Sequence, residues 1–198
     1  MLDVSRETRT RLEAFCALLT TWNTRINLIS QATVADIWLR HIEDSAQLLA
    51  LAPPETRHWV DLGTGGGFPG LIIAILAREQ NPEMQVSLVE SDRRKCTFLS
   101  VAAQTTGVTP NIHPCRAEDL APMNADLLSA RALAPLSRLL PLAARHLAPS
   151  GRALFPKGAQ ADAELQATLE SWRFKVQKIR SRTDPTGVIL AIEDIARA

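Results

Sequence analysis

The segment His58-Trp59-Val60-Asp61-Leu62-Gly63-Thr64-Gly65-Gly66-Gly67-Phe68-Pro69-Gly70 decides the reading of this chain. Its first five residues form a short apolar run with one acid, the pattern of a buried strand. The glycines that follow let the backbone turn sharply and let a ligand approach closer than any Cβ would allow. A helix then opens near Phe68 and runs through Arg78, with Pro69 suited to a first helical position because its missing N–H costs nothing there. The unpaired N–H groups of such a helix start suit an anionic or nucleoside-containing ligand. No Lys followed by Ser or Thr comes after the glycines, so the turn is not a phosphate-cradling P-loop.

Downstream, strands and helices alternate. Gln85 to Glu90 reads as a second strand, Asp92 caps a helix reaching Thr106, and Asn111 to Pro114 is a weak third strand. Asp126 to Ser129 is a fourth strand, and Leu136 to His146 a helix closed by Pro149-Ser150-Gly151. Arg152 to Phe155 is a fifth strand, and Ala161 to Ser171 a helix. Phe174 to Ile179 and Val188 to Ile195 have only Thr183-Asp184-Pro185-Thr186-Gly187 between them and read as an antiparallel pair. The expected fold is α/β, a mostly parallel, doubly wound Rossmann-like sheet with one antiparallel strand, and ligands sit at the carboxyl ends of its strands.

Upstream, Leu12, Phe15, Cys16, Leu19, Trp22 and Ile26 keep the spacing of an amphipathic helix, which Asn27 is placed to end. A second helix runs from a Thr33 cap, with Asp36 three residues on, to Pro53-Pro54. Its apolar face carries Val34, Ile37, Trp38, His41, Ser45, Leu48 and Leu49. We therefore expect one domain over 1–198, made of a helical extension (1–54) and a Rossmann-like core (55–198). With 198 residues and 46% hydrophobic content the chain is long enough to bury such a core.

Composition narrows the setting. The polar N-terminus lacks the apolar region of a secretory signal, and the longest apolar run, Gly70 to Ala77, is far short of the ~20 residues a membrane span needs. Cys16, Cys96 and Cys115 are odd in number and widely spaced, which suits a reducing compartment and small core positions. A cytoplasmic protein without a membrane anchor or a metal site is expected, with monomer as the default state. A net charge of +1 is neutral on nucleic acid.

Two cofactors fit the turn. Gly65, Gly67 and Gly70 satisfy Gly-x-Gly-x-x-Gly, and Glu90 stands 20 residues beyond at the end of the second strand, where either cofactor places a ribose. Three features favour S-adenosylmethionine: Asp61 two residues before the first glycine, the fuller Asp-x-Gly-x-Gly-x-Gly pattern, and Ala117-Glu118-Asp119 just after the third strand. The pattern resembles the class I methyltransferase signature. A NAD-dependent oxidoreductase is the competing enzyme class, but its usual Tyr-Lys donor pair is impossible in a chain with no Tyr.

Three further segments sharpen the resemblance: Trp22-Asn23-x-x-Ile26-Asn27-Leu28, Leu39-Arg40-His41-Ile42-x-Asp44-Ser45, and Phe155-x-Lys157-Gly158. With the Gly-Phe-Pro-Gly ending of the turn, and in this order over nearly the whole chain, they resemble the RsmG family, formerly glucose-inhibited division protein B. That resemblance implies S-adenosylmethionine-dependent methylation of N7 of one guanine in the 530 loop of 16S rRNA in the small ribosomal subunit. It implies cofactor contacts at Gly63 and Phe68 in the turn, Ala117 and Glu118 after the third strand, and Arg131 after the fourth, which join Gly65 and Glu90 read from the glycine pattern. The family commonly has Ser before that Arg, where this chain has Ala130, and Gly66 occupies a variable position of the turn, expected to be harmless.

Guanine N7 carries an exposed lone pair and no proton, so the transfer needs alignment more than a base, and orientation alone can supply roughly 7–11 kcal/mol. No catalytic base is assigned. The resemblance draws Arg40, His41 and Asp44 toward RNA contact or helix docking without choosing, while local reasoning makes His41 a hydrogen-bonded core residue and Arg40 and Asp44 a surface i,i+4 pair. Lys157, after the fifth strand on the ligand-bearing edge of the sheet, suits an RNA phosphate. A third class, a non-catalytic S-adenosylmethionine-binding ribosome assembly factor, predicts the same affinities without transfer.

Overall fold

The computed structural model describes residues 2–198. Seven strands, β1 (His58–Leu62), β2 (Gln85–Val89), β3 (Asn111–His113), β4 (Ala125–Ser129), β5 (Leu147–Lys157), β6 (Trp172–Arg180) and β7 (Val188–Arg197), form one sheet. Their order is β3-β2-β1-β4-β5-β7-β6. β1 to β5 pair in parallel, and β7 runs antiparallel to both β5 and β6. The chain winds outward from β1 in one direction to β3, then resumes at β4 on the other side. The carboxyl ends of β1 and β4 therefore flank the crevice where such sheets bind ligands.

Alternation along the strands sorts the core into two layers. Trp59, Val86, Leu88, Leu127 and Leu154 pack against α1 (Arg6–Asn23), α2 (Asp44–Leu49), α3 (Gly70–Gln80) and α4 (Arg93–Thr106). Val60, Leu62, Leu128, Ala153 and Phe155 face α5 (Leu136–His146) and α6 (Ala161–Gln166). Helix α1 belongs fully to the first layer. Phe15 meets Phe68 of the glycine turn edge-on at 5.5 Å and Phe98 of α4 at 6.1 Å. Each fully buried aromatic contributes roughly 1.5–3 kcal/mol.

The differences from the sequence reading have local causes. Helix α1 begins at Arg6, because the Ser5 hydroxyl accepts the Thr8 N–H at 3.1 Å. It ends at Asn23, not Asn27, because the Asn23 carboxamide oxygen accepts from Leu28 N at 2.9 Å and Ile29 N at 3.0 Å. Thr33 caps no helix. It closes a short 3₁₀ turn (Gln31–Thr33), and helix two starts later as a π-helical stretch (Trp38–Glu43) before tightening into α2. The wide turn brings Ile37, Ile42 and Ala46 inward and leaves His41 half-buried.

Pro149-Ser150-Gly151 lies inside β5 and does not separate it from α5. β5 advances five positions, from Leu147 to Arg152, where β4 advances two, from Ala125 to Leu127. A Cβ on Gly151 would stand 2.5 Å from the Ala125 carbonyl oxygen, so only glycine allows that approach. Helix α6 stops at Gln166, and turns lead from it into β6. Of the cysteines, Cys96 is buried as expected, and Cys16 and Cys115 are half-buried.

Candidate active site

The glycine turn is held from below by Asp61. One carboxylate oxygen accepts the Ser129 hydroxyl at 2.7 Å, the other accepts Gly70 N at 2.9 Å, and Ser129 in turn accepts the Trp59 indole N–H at 2.9 Å. The acid thus ties β1 to β4 and to the first residue of α3. That N–H is spoken for, so the helix start does not offer it to a ligand. Complete burial pushes the Asp61 carboxyl up to about 6, against these hydrogen bonds. Gly70 is fixed by the same packing: a Cβ there would fall 2.7 Å from that of Asp61 and 2.4 Å from Leu88 Cδ2.

Above the turn, Glu90 closes the gap between β1 and β2. Its Oε2 accepts Gly65 N at 2.9 Å and its Oε1 accepts Asp92 N at 2.8 Å. An ionised carboxylate has about four acceptor positions, so both oxygens retain capacity for hydroxyl groups. Gly63 and Gly65 adopt φ of 67° and 57°, the left-handed region that favours glycine. Ala117 and Glu118 lie in a 3₁₀ turn (Ala117–Asp119) after β3, the first buried and the second exposed. The Ala117 carbonyl oxygen accepts His146 Nε2 at 2.9 Å, which anchors the turn to α5.

Beyond β4, Arg131 folds back toward the N-terminal helices. Its Nη1 donates to Asp44 Oδ2 at 3.0 Å and to the Arg40 carbonyl at 3.2 Å, and its Nη2 donates to His41 Nδ1 at 2.9 Å. The guanidinium lies 5.1 Å from the Phe68 ring centre, and the His41 ring stacks on Phe68 at 4.8 Å. His41 Nε2 pairs with the Thr33 hydroxyl at 2.9 Å. Burial, aided by the Arg131 charge, pushes the His41 imidazole down to about 4. It is neutral at pH 7, and Arg131 at Nδ1 puts its proton on Nε2.

Asp44 therefore pairs with Arg131 and not with Arg40, whose side chain stays exposed. Asp44 is held by residues the sequence reading passed over. Gln47 Nε2 donates to Asp44 Oδ1 at 2.9 Å, to Ser181 Oγ at 3.2 Å and to Thr183 Oγ1 at 3.1 Å. The Thr183 hydroxyl donates to Asp44 Oδ1 at 2.6 Å, and Arg182 N donates to Gln47 Oε1 at 2.9 Å. No sequence signal marked Gln47, because its partners in the turn between β6 and β7 lie more than 130 residues away. Gly66, expected to be indifferent, sits where a Cβ would come within 3.1 Å of the Leu28 carbonyl oxygen.

Two cavities meet here. One, about 430 Å³, is lined by the turn from Gly63 to Gly66, Phe68, His41 and Arg131. The other, about 460 Å³, runs past Arg131 to Leu133, Pro156, Lys157 and Glu164. Arg131, Ala132, Asp44 and Asp184 belong to both. Ala132, on the wall between them, has φ 54°, a strained conformation that costs about 1–3 kcal/mol and that proteins concentrate at functional sites. Lys157 is largely buried, donating to Glu164 Oε2 at 2.8 Å and to the Ala134 carbonyl at 3.0 Å.

Solved structures share this architecture. A ribosomal protein L11 methylase from Lactobacillus delbrueckii subsp. bulgaricus superposes with a TM-score of 0.60 at 23% identity, over 75% of each chain. A TehB-like SAM-dependent methyltransferase from Corynebacterium glutamicum does so with a TM-score of 0.56 at 16% identity, over 79% of this chain and 88% of the other. The fold, with its glycine turn at the switch point, is that of the class I methyltransferases. Within that class, the GidB family model, described as rRNA small subunit methyltransferase G, matches residues 8–185, and the chain belongs to this family. The "Ribosomal RNA small subunit methyltransferase G" of Cereibacter sphaeroides is 49% identical over 195 residues, 98% of this chain and 94% of the relative.

Proposed function

We propose that this chain binds S-adenosylmethionine over the glycine turn and methylates N7 of a guanine in the 530 loop of 16S rRNA, acting in the cytoplasm as a monomer on the small ribosomal subunit. The observation that carries the reading is the clamp of Glu90 on Gly65. It sets a buried carboxylate with spare acceptor capacity beside a glycine turn at the crevice of a methyltransferase fold. Family membership supplies the rRNA, and the resemblance supplies the base and the atom.

In this reading Gly63 and Gly65 admit the cofactor's close approach and Glu90 accepts its ribose hydroxyls. Ala117 and Glu118 bound the adenine, and Phe68 with Arg131 closes the methionine end. The bound cofactor supplies an electrophilic methyl on a sulfonium. The chain supplies alignment, since guanine N7 needs no deprotonation and orientation of two reactants can contribute roughly 7–11 kcal/mol. Arg40, exposed at the rim, contacts a phosphate. His41, with both ring nitrogens engaged, holds Arg131 in place and does not reach the RNA itself.

The test is transfer of a tritiated methyl to 30S subunits from a strain lacking the endogenous enzyme, with mass mapping of the labelled nucleotide. Label at guanine N7 in the 530 loop is the expected outcome. Binding of S-adenosylhomocysteine and subunits without transfer would instead establish the non-catalytic assembly factor. Heat of binding with NAD and none with S-adenosylhomocysteine would overturn the cofactor assignment.

A further inference from the structure

The second cavity has chemistry of its own. Glu164 Oε2 is occupied, accepting Lys157 Nζ at 2.8 Å and the Leu136 N–H at 2.6 Å. Among the described residues no hydrogen bond reaches its Oε1. The Lys157 ammonium has three donors, of which Ala134 and Glu164 take two. A free carboxylate acceptor and a free ammonium donor thus stand side by side in a recess walled by apolar Leu133, Pro135 and Pro156. Leu133 is an exposed large hydrophobic residue, and a Cβ on Gly63 would lie 2.5 Å from its Cδ1, so it also packs on the glycine turn.

Resting on the function proposed above, the geometry points to this recess as the pocket for the target base, with Glu164 and Lys157 reading guanine on its Watson–Crick edge. That edge offers two adjacent donors, N1–H and the N2 amine, beside the O6 acceptor. Glu164 Oε1 accepts from the donors and Lys157 donates to O6. Adenine presents a lone pair at N1, which the carboxylate repels, so the site excludes it. A base held this way has left its stack. Its N7 edge shares only O6 with the edge so held and stays open toward Arg131, the wall shared with the cofactor cavity. The two reactants then meet where the cavities join beside Arg131 and Ala132, N7 forming its bond to the methyl carbon as the bond from carbon to sulfur breaks.

Inosine, which is guanosine without the N2 amine, tests the assignment. Small subunits are reconstituted with 16S rRNA carrying guanine or inosine at the target position, and initial rates of methyl transfer are measured for the native chain and Glu164→Gln. A hydrogen bond to a charged group is worth about a 10- to 150-fold ratio, so the native kcat/KM falls by about that factor on inosine. In Glu164→Gln the single amide oxygen is held by Leu136 N and Lys157, which turns the amide NH₂ toward the base donors. Transfer to guanine then drops, the guanine preference vanishes, and the affinity for S-adenosylhomocysteine, measured by calorimetry, stays within about twofold. Equal native rates on guanine and inosine overturn the pocket, whatever the stability of the variant. An unchanged preference in Glu164→Gln overturns the role of the carboxylate. Absence of transfer even to guanine subunits overturns the proposed function and the pocket together.

Discussion

Asp61 shows how one side chain converts a motif into a scaffold. Both its oxygens accept protein donors, one from β4 and one from the start of α3. In Asp61→Asn the amide NH₂ must face one of them, leaving that buried donor unpaired at a cost of about 1–3 kcal/mol. A lower denaturant midpoint and weaker calorimetric binding of S-adenosylhomocysteine are expected. His41 gives a pH prediction. Its imidazole is held near 4 in the folded chain, below the ordinary value of 6.5. Between those values the unfolded state binds more protons, so the stability His41 provides is complete above 6.5 and drains away as pH falls toward 4. The stability advantage of the native chain over His41→Asn should therefore shrink across that window. Parallel denaturation curves at pH 7 and pH 4.5 would contradict it.

At the scale of elements, the hairpin between β6 and β7 matters through its turn. Ser181 and Thr183 grip Gln47, Gln47 and Thr183 grip Asp44, and Asp44 grips Arg131. Gln47→Ala and Thr183→Val should each lower kcat for rRNA methylation severalfold and, through Arg131, weaken S-adenosylhomocysteine binding, with little change in denaturant midpoint. Thr183→Ser, which keeps the hydroxyl, should restore most of the rate. A fall in denaturant midpoint in step with kcat would mean the turn merely stabilises the fold.

This chain of contacts also marks the limit of what the sequence discloses. The glycine turn, the strand alternation and the closing antiparallel pair are legible because each is a local pattern with one steric or hydrogen-bonding solution. The π-helical stretch at Trp38–Glu43 is not, since the partner of its Arg40 carbonyl is Arg131, 91 residues away. Gly63, Gly65 and Glu90 lie together at the turn, with Glu90 hydrogen-bonded to Gly65, because their spacing is set by the local strand-turn pattern. The true partner of Asp44 was hidden because i,i+4 spacing to Arg40 offered a nearer, weaker one. Glu164 was overlooked because a lone Glu in a short helix reads as a solvated face.

For the molecule as a whole, residues 2–54 share their apolar core with α3 and α4. We therefore propose that extension and sheet unfold as one unit, with coincident circular dichroism and tryptophan fluorescence transitions. With a net charge of +1, the chain has little general attraction for RNA, so the loss of a single phosphate contact is expected to be visible in binding. Arg40→Gln should lower by roughly one unit the slope of log affinity for 30S subunits against log salt.

Phe68 is wedged between Phe15 on one side and His41 and Arg131 on the other, so it answers to the helical cap and to the ligand cavity alike. Thermodynamic reciprocity then applies: whatever immobilises one neighbour of that ring is felt by the other. Amide protons in the middle of α1, remote from any bound nucleoside, should exchange with deuterium more slowly once S-adenosylhomocysteine saturates the chain.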